Sequence, residues 1–360
     1  MNVPDLCSKI LAGERISFEE GVYLHDNAEL DTLAYLADDI RQRLHPDGVV
    51  SYIIDRNLNP TNVCVTDCSF CSFYAKPKDS DKAYVLERDE IYKRIQETVD
   101  VGGVQILMQS GHHPKLGCEW FEELFNDIMQ RWPDLHLHAM APSEIEHLGR
   151  VSKISTLEVL KRLQAAGMKS MPGGGAEVLT ERVRAKIAPR KTSSDDWIRI
   201  MEEAHSISML TTATMMFGHV ETTADRIEHL QRIRDLQDRT KGFTAFIGWT
   251  FQPGENPLGE ELIASGWSKA THAEYFRLTC IARIFLDNFE NIQASFVTQG
   301  ADAAQLALHM GCNDFGSVML EENVVSAAGC FELVDVSEIE KRIVNAGFTP
   351  RRRNQAYSLL

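Results

Sequence analysis

Three cysteines stand within eight residues: Cys64, Cys68 and Cys71, in the stretch Asn59-Pro-Thr-Asn-Val-Cys-Val-Thr-Asp-Cys-Ser-Phe-Cys-Ser-Phe-Tyr74. The spacing C-x3-C-x2-C lets one short loop offer thiolates to three corners of a cubane iron–sulfur cluster, for which cysteine is the usual ligand and four ligands are normal. The next cysteine along the chain is Cys118. One iron is therefore left open, free to take a substrate or cofactor. A closed zinc site wants four ligands, commonly two C-x2-C pairs or a Cys/His set, and no histidine lies close by. Three ordinary buried thiols are the other reading, but these sit among Asn, Thr, Asp and Ser.

Other residues have types suited to chemistry. Ser110-Gly111 and the run Gly173-Gly174-Gly175 allow close backbone approach to a ligand, because glycine has no side chain. The glycine run is not a dinucleotide fingerprint, and no phosphate-loop pattern is present. Glu177 follows it, then Arg182 and Arg184 on a short helix; an arginine fork suits a carboxylate. His112 and His113 are adjacent, so in extended chain at most one faces a site. His136 and His138 share a strand face, and His138 lies nearer the strand end. Histidine titrates near neutrality and can move protons. His219, Glu221, Glu321, Glu322 and Asn323 are further polar residues at strand ends.

These residues need a scaffold, and the chain alternates strands and helices from residue 49 onward. Strands are expected at 49–56, 104–109, 135–140, 168–171, 210–217, 243–251, 292–297 and 315–320. Helices are expected at 88–101, 119–131, 155–166, 195–207, 224–239, 271–288 and 301–310, from apolar stripes at helical spacing. Alternation of this kind implies a parallel sheet. Eight units predict an α/β fold, a (β/α)8 TIM-type barrel, whose active site lies in the loops after the strands. Polar residues then concentrate at that rim, among them His136, His138, Ser143 and Glu144 from the third strand and the loop after it. Residues 1–46 read as a helical extension, with Ser17 capping one helix, and are expected to cover one end of the barrel. The barrel is expected over 47–330, and a C-terminal extension packed on it over 331–360.

Composition narrows the class. A hydrophobic share of 44% and a charged share of 25% are those of a globular protein. No apolar run reaches membrane-spanning length, and the N-terminus shows no signal-peptide pattern. Eight cysteines in a chain this long do not read as a disulfide framework; a reducing cytoplasm is the expected location. A net charge of −15 argues against a nucleic-acid partner. The basic run Arg351-Arg352-Arg353 reads as a solvated tail. Cys7, Cys118, Cys280, Cys312 and Cys330 read as packing residues.

The cysteine motif, with Phe70 just before its third cysteine, resembles the radical S-adenosylmethionine (SAM) superfamily. That resemblance implies a [4Fe-4S] cluster on Cys64, Cys68 and Cys71. It also implies SAM chelated by the open iron and cleaved on reduction to a 5'-deoxyadenosyl radical. It implies SAM contacts for Phe70, Ser110, Gly111, Gly174, Glu177, Arg182 and Arg184, and a flavodoxin- or ferredoxin-type electron donor. Pro172-Gly-Gly-Gly-Ala-Glu177, Thr214-Met-Met-Phe-Gly-His-Val-Glu-Thr222 and Phe243-Thr-Ala-Phe246 resemble the menaquinone/F420 branch. Within it, Gly111-His-His-Pro114, Met215-Met-Phe217 and Trp249-Thr-Phe-Gln-Pro253 look most like the members that cyclise dehypoxanthine futalosine. Aminofutalosine synthase and the tyrosine-using subunit of the deazaflavin synthase are the alternatives. Met108-Gln-Ser110 and Gly248 depart from the branch's usual Leu-Gln-Gly and Pro. The implied reaction removes the ribose C4' hydrogen, closes a ring on the benzoate and loses a proton; His112, His138 and Glu322 are the suggested proton acceptors.

Overall fold

In a computed structural model, which describes residues 1–79 and 81–360, ten strands form one parallel sheet among the described residues. They are β1 (Val49–Ile53), β2 (Asp55–Leu58), β3 (Gln105–Met108), β4 (His136–Ala139), β5 (Met168–Met171), β6 (Leu210–Phe217), β7 (Phe243–Thr250), β8 (Asn291–Gln293), β9 (Asp314–Ser317) and β10 (Thr349–Arg352). The order is β10-β1-β9-β8-β7-β6-β5-β4-β3-β2. From β2 onward helices cross over between successive strands, as parallel pairing requires.

The first expected strand is broken at Ile54, and the break closes the barrel. Its lower half, β1, bonds to β9 and β10; its upper half, β2, bonds to β3. The Val104 amide donates to the Ile54 carbonyl at 3.1 Å where the two halves meet. Beyond β9 the pairing runs on: Leu320 donates to Asp55 at 2.9 Å and Asn57 donates to Glu321 at 3.1 Å. The run 49–58 thus touches both ends of the series. The expected strand 292–297 is cut short, because Phe296–Gln299 turns into a helix.

Two segments differ from expectation for clear physical reasons. Pro142–Ser152 is a helix that begins with proline at its first turn, where the missing N–H is no loss. Glu144 reaches back to the Ala141 amide at 2.8 Å and caps it. The stretch 349–352 is not a free tail. It lies in the sheet beside β1, and Arg353 after it is buried.

The helices Phe18–Asn27 and Leu30–Leu44 lie along the outer helices rather than over one end of the barrel. Gly21 sits against Phe285, where a Cβ would come within 2.8 Å of the ring. Arg277 donates to the carbonyls of His25 and Ala28 at 2.7 and 2.8 Å.

The barrel interior sets polar side chains among apolar ones such as Ile53, Leu107, Ile247 and Phe296. Asp55 and Asn57 on β2, Gln105 on β3, and Thr212 and Thr214 on β6 point inward. A barrel of this type is usually filled by branched apolar side chains; here the polar ones leave a cavity of about 270 Å³.

Candidate functional site

The cysteine loop hangs from the upper end of β2. Cys64 donates its amide to Ala75 at 3.0 Å and Val65 donates to His112 at 3.1 Å, so the loop is pinned at its base. Ser69 donates to the Ile187 carbonyl at 2.9 Å on the far side. Asp67 takes a left-handed backbone (φ 57°), and its carboxylate accepts the Tyr74 hydroxyl. Between these anchors Cys64, Cys68 and Cys71 all face one cavity of about 260 Å³, and none is in a disulfide.

The chemistry of these thiols fits a cluster. Burial raises the Cys71 thiol, and backbone N–H groups at Phe73 and Tyr74 act against that by favouring the thiolate. Burial raises the Cys68 thiol to about 12 even though the nearby Lys191 ammonium favours its thiolate. Among the described residues no three His, Cys, Asp or Glu side chains converge closely enough to share one metal ion. A cubane takes one thiolate on each of three irons, whereas a closed zinc site wants four ligands on one ion.

Around the thiols stand Phe70, Ser110, Gly111, Gly174 and Glu177, all lining the same cavity. Ser110 donates its amide to Glu144 Oε1 at 2.7 Å. Burial raises the Glu144 carboxyl to about 7. Glu177 has a left-handed backbone (φ 45°) and pairs with Lys191 at 2.7 Å; the ammonium also lies 5.4 Å from the Phe70 ring centre. Gly111 is tight against chain rather than ligand: a Cβ there would overlap the Val63 carbonyl below the cysteine loop. At Gly174 a Cβ would overlap the Gln109 side chain.

Neither arginine of the expected set lines a cavity. Arg182 is on the outer surface, donating to Asp225 and to the Val220 carbonyl. Arg184 is buried behind the glycine turn, where it donates to the carbonyls of Gly175, Ala176 and Thr192. It shapes the backbone that carries Glu177. His219 and Glu221 also stay outside both cavities, the glutamate held by Arg226 and the amides of Gly218 and His219.

A second cavity continues down the barrel and shares Gln109, Gly174, Trp249, Val324 and Val325 with the first. The three suggested proton acceptors divide between the two. His112 is on the first. Its Nδ1 is 2.5 Å from Thr66 Oγ1, its ring stacks on His147 at 4.8 Å, and burial keeps it neutral, so it braces the cysteine loop. His138 and Glu322 are on the second. His138 Nδ1 is 2.6 Å from Ser170 Oγ and its Nε2 is 3.3 Å from Gln355. Glu322 accepts amides of Val324, Val325 and Ser326 at 2.9, 2.8 and 2.9 Å.

Sequence reasoning placed Glu144 at the rim without a role, took Arg353 for part of a solvated tail, and missed Lys191 and Asp55. Asp55 carried a signal, since a carboxylate two residues before Asn57 in a strand buried on both faces needs a polar cavity. Its oxygens accept from Ser317 Oγ and, at 2.7 Å, from Gln105. Lys191 carried none.

Residues 58–233 match the family described as the radical SAM superfamily, and residues 240–360 match the CofH/MqnC C-terminal region. The chain is 47% identical over 357 residues to cyclic dehypoxanthine futalosine synthase of Streptomyces coelicolor, covering 99% of this chain and 88% of that one. It is 41% identical to the enzyme so named from Halalkalibacterium halodurans, covering 100% and 95%. Aminodeoxyfutalosine synthase of Thermus thermophilus is 35% identical, covering 98% and 94%. Among solved structures, methylornithine synthase superposes with a TM-score of 0.74 at 17% identity, covering 96% of this chain and 97% of that one, which speaks to the fold.

Proposed function

Because the chain belongs to the radical SAM superfamily, with whole-length relatives that are cyclic dehypoxanthine futalosine synthases, we propose that it cyclises dehypoxanthine futalosine on the futalosine route to menaquinone. Membership implies a [4Fe-4S] cluster and SAM. When bound, they would supply the radical chemistry that removes the hydrogen at the substrate's ribose C4'. The observation that carries the reading is the pair of adjoining cavities, one walled by three thiols and the other by apolar side chains with polar groups set among them.

In this reading Cys64, Cys68 and Cys71 hold the cluster. Ser110, Gly111, Gly174, Glu177 and Phe70 line the place for SAM. Arg184 acts through the glycine turn, whereas Arg182 pairs with Asp225 outside the site. The deeper cavity takes the substrate, and Trp249 and Gln109 stand where the two meet. Enclosure by the barrel keeps water away and holds the reacting groups in register. His138 and Glu322 are within the substrate cavity for the final proton, while His112 serves the loop. Asp55 joins them as an acceptor, since each of its oxygens accepts a single hydrogen bond from the protein. A flavodoxin- or ferredoxin-type donor in the cytoplasm supplies the electron. Among the described residues no helix is long and apolar enough to cross a membrane.

The test is anaerobic reconstitution with iron and sulfide, then reductant, SAM and dehypoxanthine futalosine, with products read by mass spectrometry. A product two hydrogens lighter than substrate, formed with 5'-deoxyadenosine and lost in Cys68→Ala, is expected. SAM cleavage without that product would sink the substrate and make 3-[(1-carboxyvinyl)oxy]benzoate the next compound.

A further inference from the structure

Arg353, Gln355 and Tyr357 follow β10, yet all three line the second cavity. Arg353 is 2% exposed. Its Nε and Nη2 donate to Asp314 at 2.5 and 2.9 Å, and its Nη1 donates to the Asn354 carbonyl at 3.2 Å. The Tyr357 ring covers the guanidinium at 3.9 Å. Asp314 is fixed in turn by the Ser51 hydroxyl at 2.5 Å and the Gly316 amide at 2.9 Å.

A guanidinium has five N–H donors. Three are committed here, which leaves one N–H on each terminal nitrogen. Those two form a fork that matches the two oxygens of a carboxylate. Asp314 holds the group from one edge and sets its direction, so little side-chain freedom is lost on binding. Arg353 is also the only arginine or lysine among the described residues lining this cavity; the nearby carboxylates Asp55 and Glu322 already accept hydrogen bonds from the protein.

We infer that the segment 353–357 forms the floor of the substrate cavity and that Arg353 selects an aromatic substrate by gripping its carboxylate. The assignment rests on the reading above, in which the substrate carries a benzoate. Asp314 keeps the buried cation paired when the cavity is empty, and Tyr357 and Gln355 flank the bound group.

The experiment measures dissociation constants of the cluster-loaded, SAM-bound protein for dehypoxanthine futalosine and for its benzamide counterpart. The wild type is expected to prefer the carboxylate by about ten- to a hundredfold. Arg353→Gln is expected to bring that ratio near one while cluster content and SAM binding stay unchanged. A variant that weakens both compounds equally, leaving the ratio intact, overturns the assignment, and so does a wild-type ratio near one. Should the glutamine variant fail to fold, Arg353→Lys keeps Asp314 paired and carries the same comparison: a ratio reduced severalfold supports the fork, an unchanged one overturns it. If the wild type binds neither compound, both the fork and the substrate reading fall. Selective binding of the carboxylate without turnover removes only the reaction.

Discussion

Lys191 faces the three thiols as the only arginine or lysine among the described residues lining their cavity, and it is paired with Glu177. Replacing it by methionine strands a buried carboxylate, a change that typically destabilises by about 3–5 kcal/mol. It also removes the charge that favours the Cys68 thiolate. Lys191→Met is therefore expected to melt earlier and to take up iron and sulfide more slowly, read from visible absorbance; wild-type uptake would refute the electrostatic role. Glu144 gives a pH signature. Its carboxyl stands at about 7 rather than 4.5, so between those values the folded chain keeps a proton that the unfolded chain releases. Stability is then fullest below 4.5 and declines as pH rises to 7, by no more than about 3 kcal/mol. Denaturation curves of cluster-free Glu144→Gln across that window should show a flatter slope than wild type. At this scale the sequence was legible where spacing is itself the chemistry, as with the cysteines. It was silent on Lys191, a lone cation whose partner Glu177 is fixed only by the folded turn.

The cysteine loop is shaped by contacts at its base as much as by its own residues. Gly111 lies where a side chain would meet the Val63 carbonyl, so Gly111→Ala must push the loop outward. Overpacking of this kind destabilises by about 1–3 kcal/mol. The expected outcome is poor cluster retention with unchanged far-ultraviolet circular dichroism; full cluster content in the variant would remove Gly111 from the loop's support. β6 and β7 were legible because eight-residue runs rich in threonine, aromatic and other apolar residues suit buried or half-buried strands. β10 was not: Thr349-Pro-Arg-Arg352 has the composition of an exposed tail, and only its pairing with β1 makes it a strand. Arg182 and Arg184 show the same limit. Two residues apart on one helix, they point to opposite surroundings, and neither reaches the cavity.

Across the whole molecule the barrel is tied shut by Ser51, Asp314 and Arg353, which join β1, β9 and the segment after β10. Asp314→Ala leaves a buried guanidinium without its partner and is expected to lose about 3–5 kcal/mol in equilibrium unfolding; a loss below about 1 kcal/mol would show that the tie is not structural. The barrel class was legible because alternating elements leave few topologies. Its closure was not, since nothing in residues 49–58 marks a strand that changes partners at Ile54. That closure also sets a timetable. Ser51 and Asp314 are 263 positions apart, whereas Gln105 and Asp55 are 50 apart. Pairings distant along the chain form slowly, because the intervening loop must first be gathered in. During refolding the cysteine loop, hung between β2 and β3, takes shape while the ring is still open. The chamber below it exists only after the last seam has zipped, so a probe at Cys68 should report order before one beside Arg353.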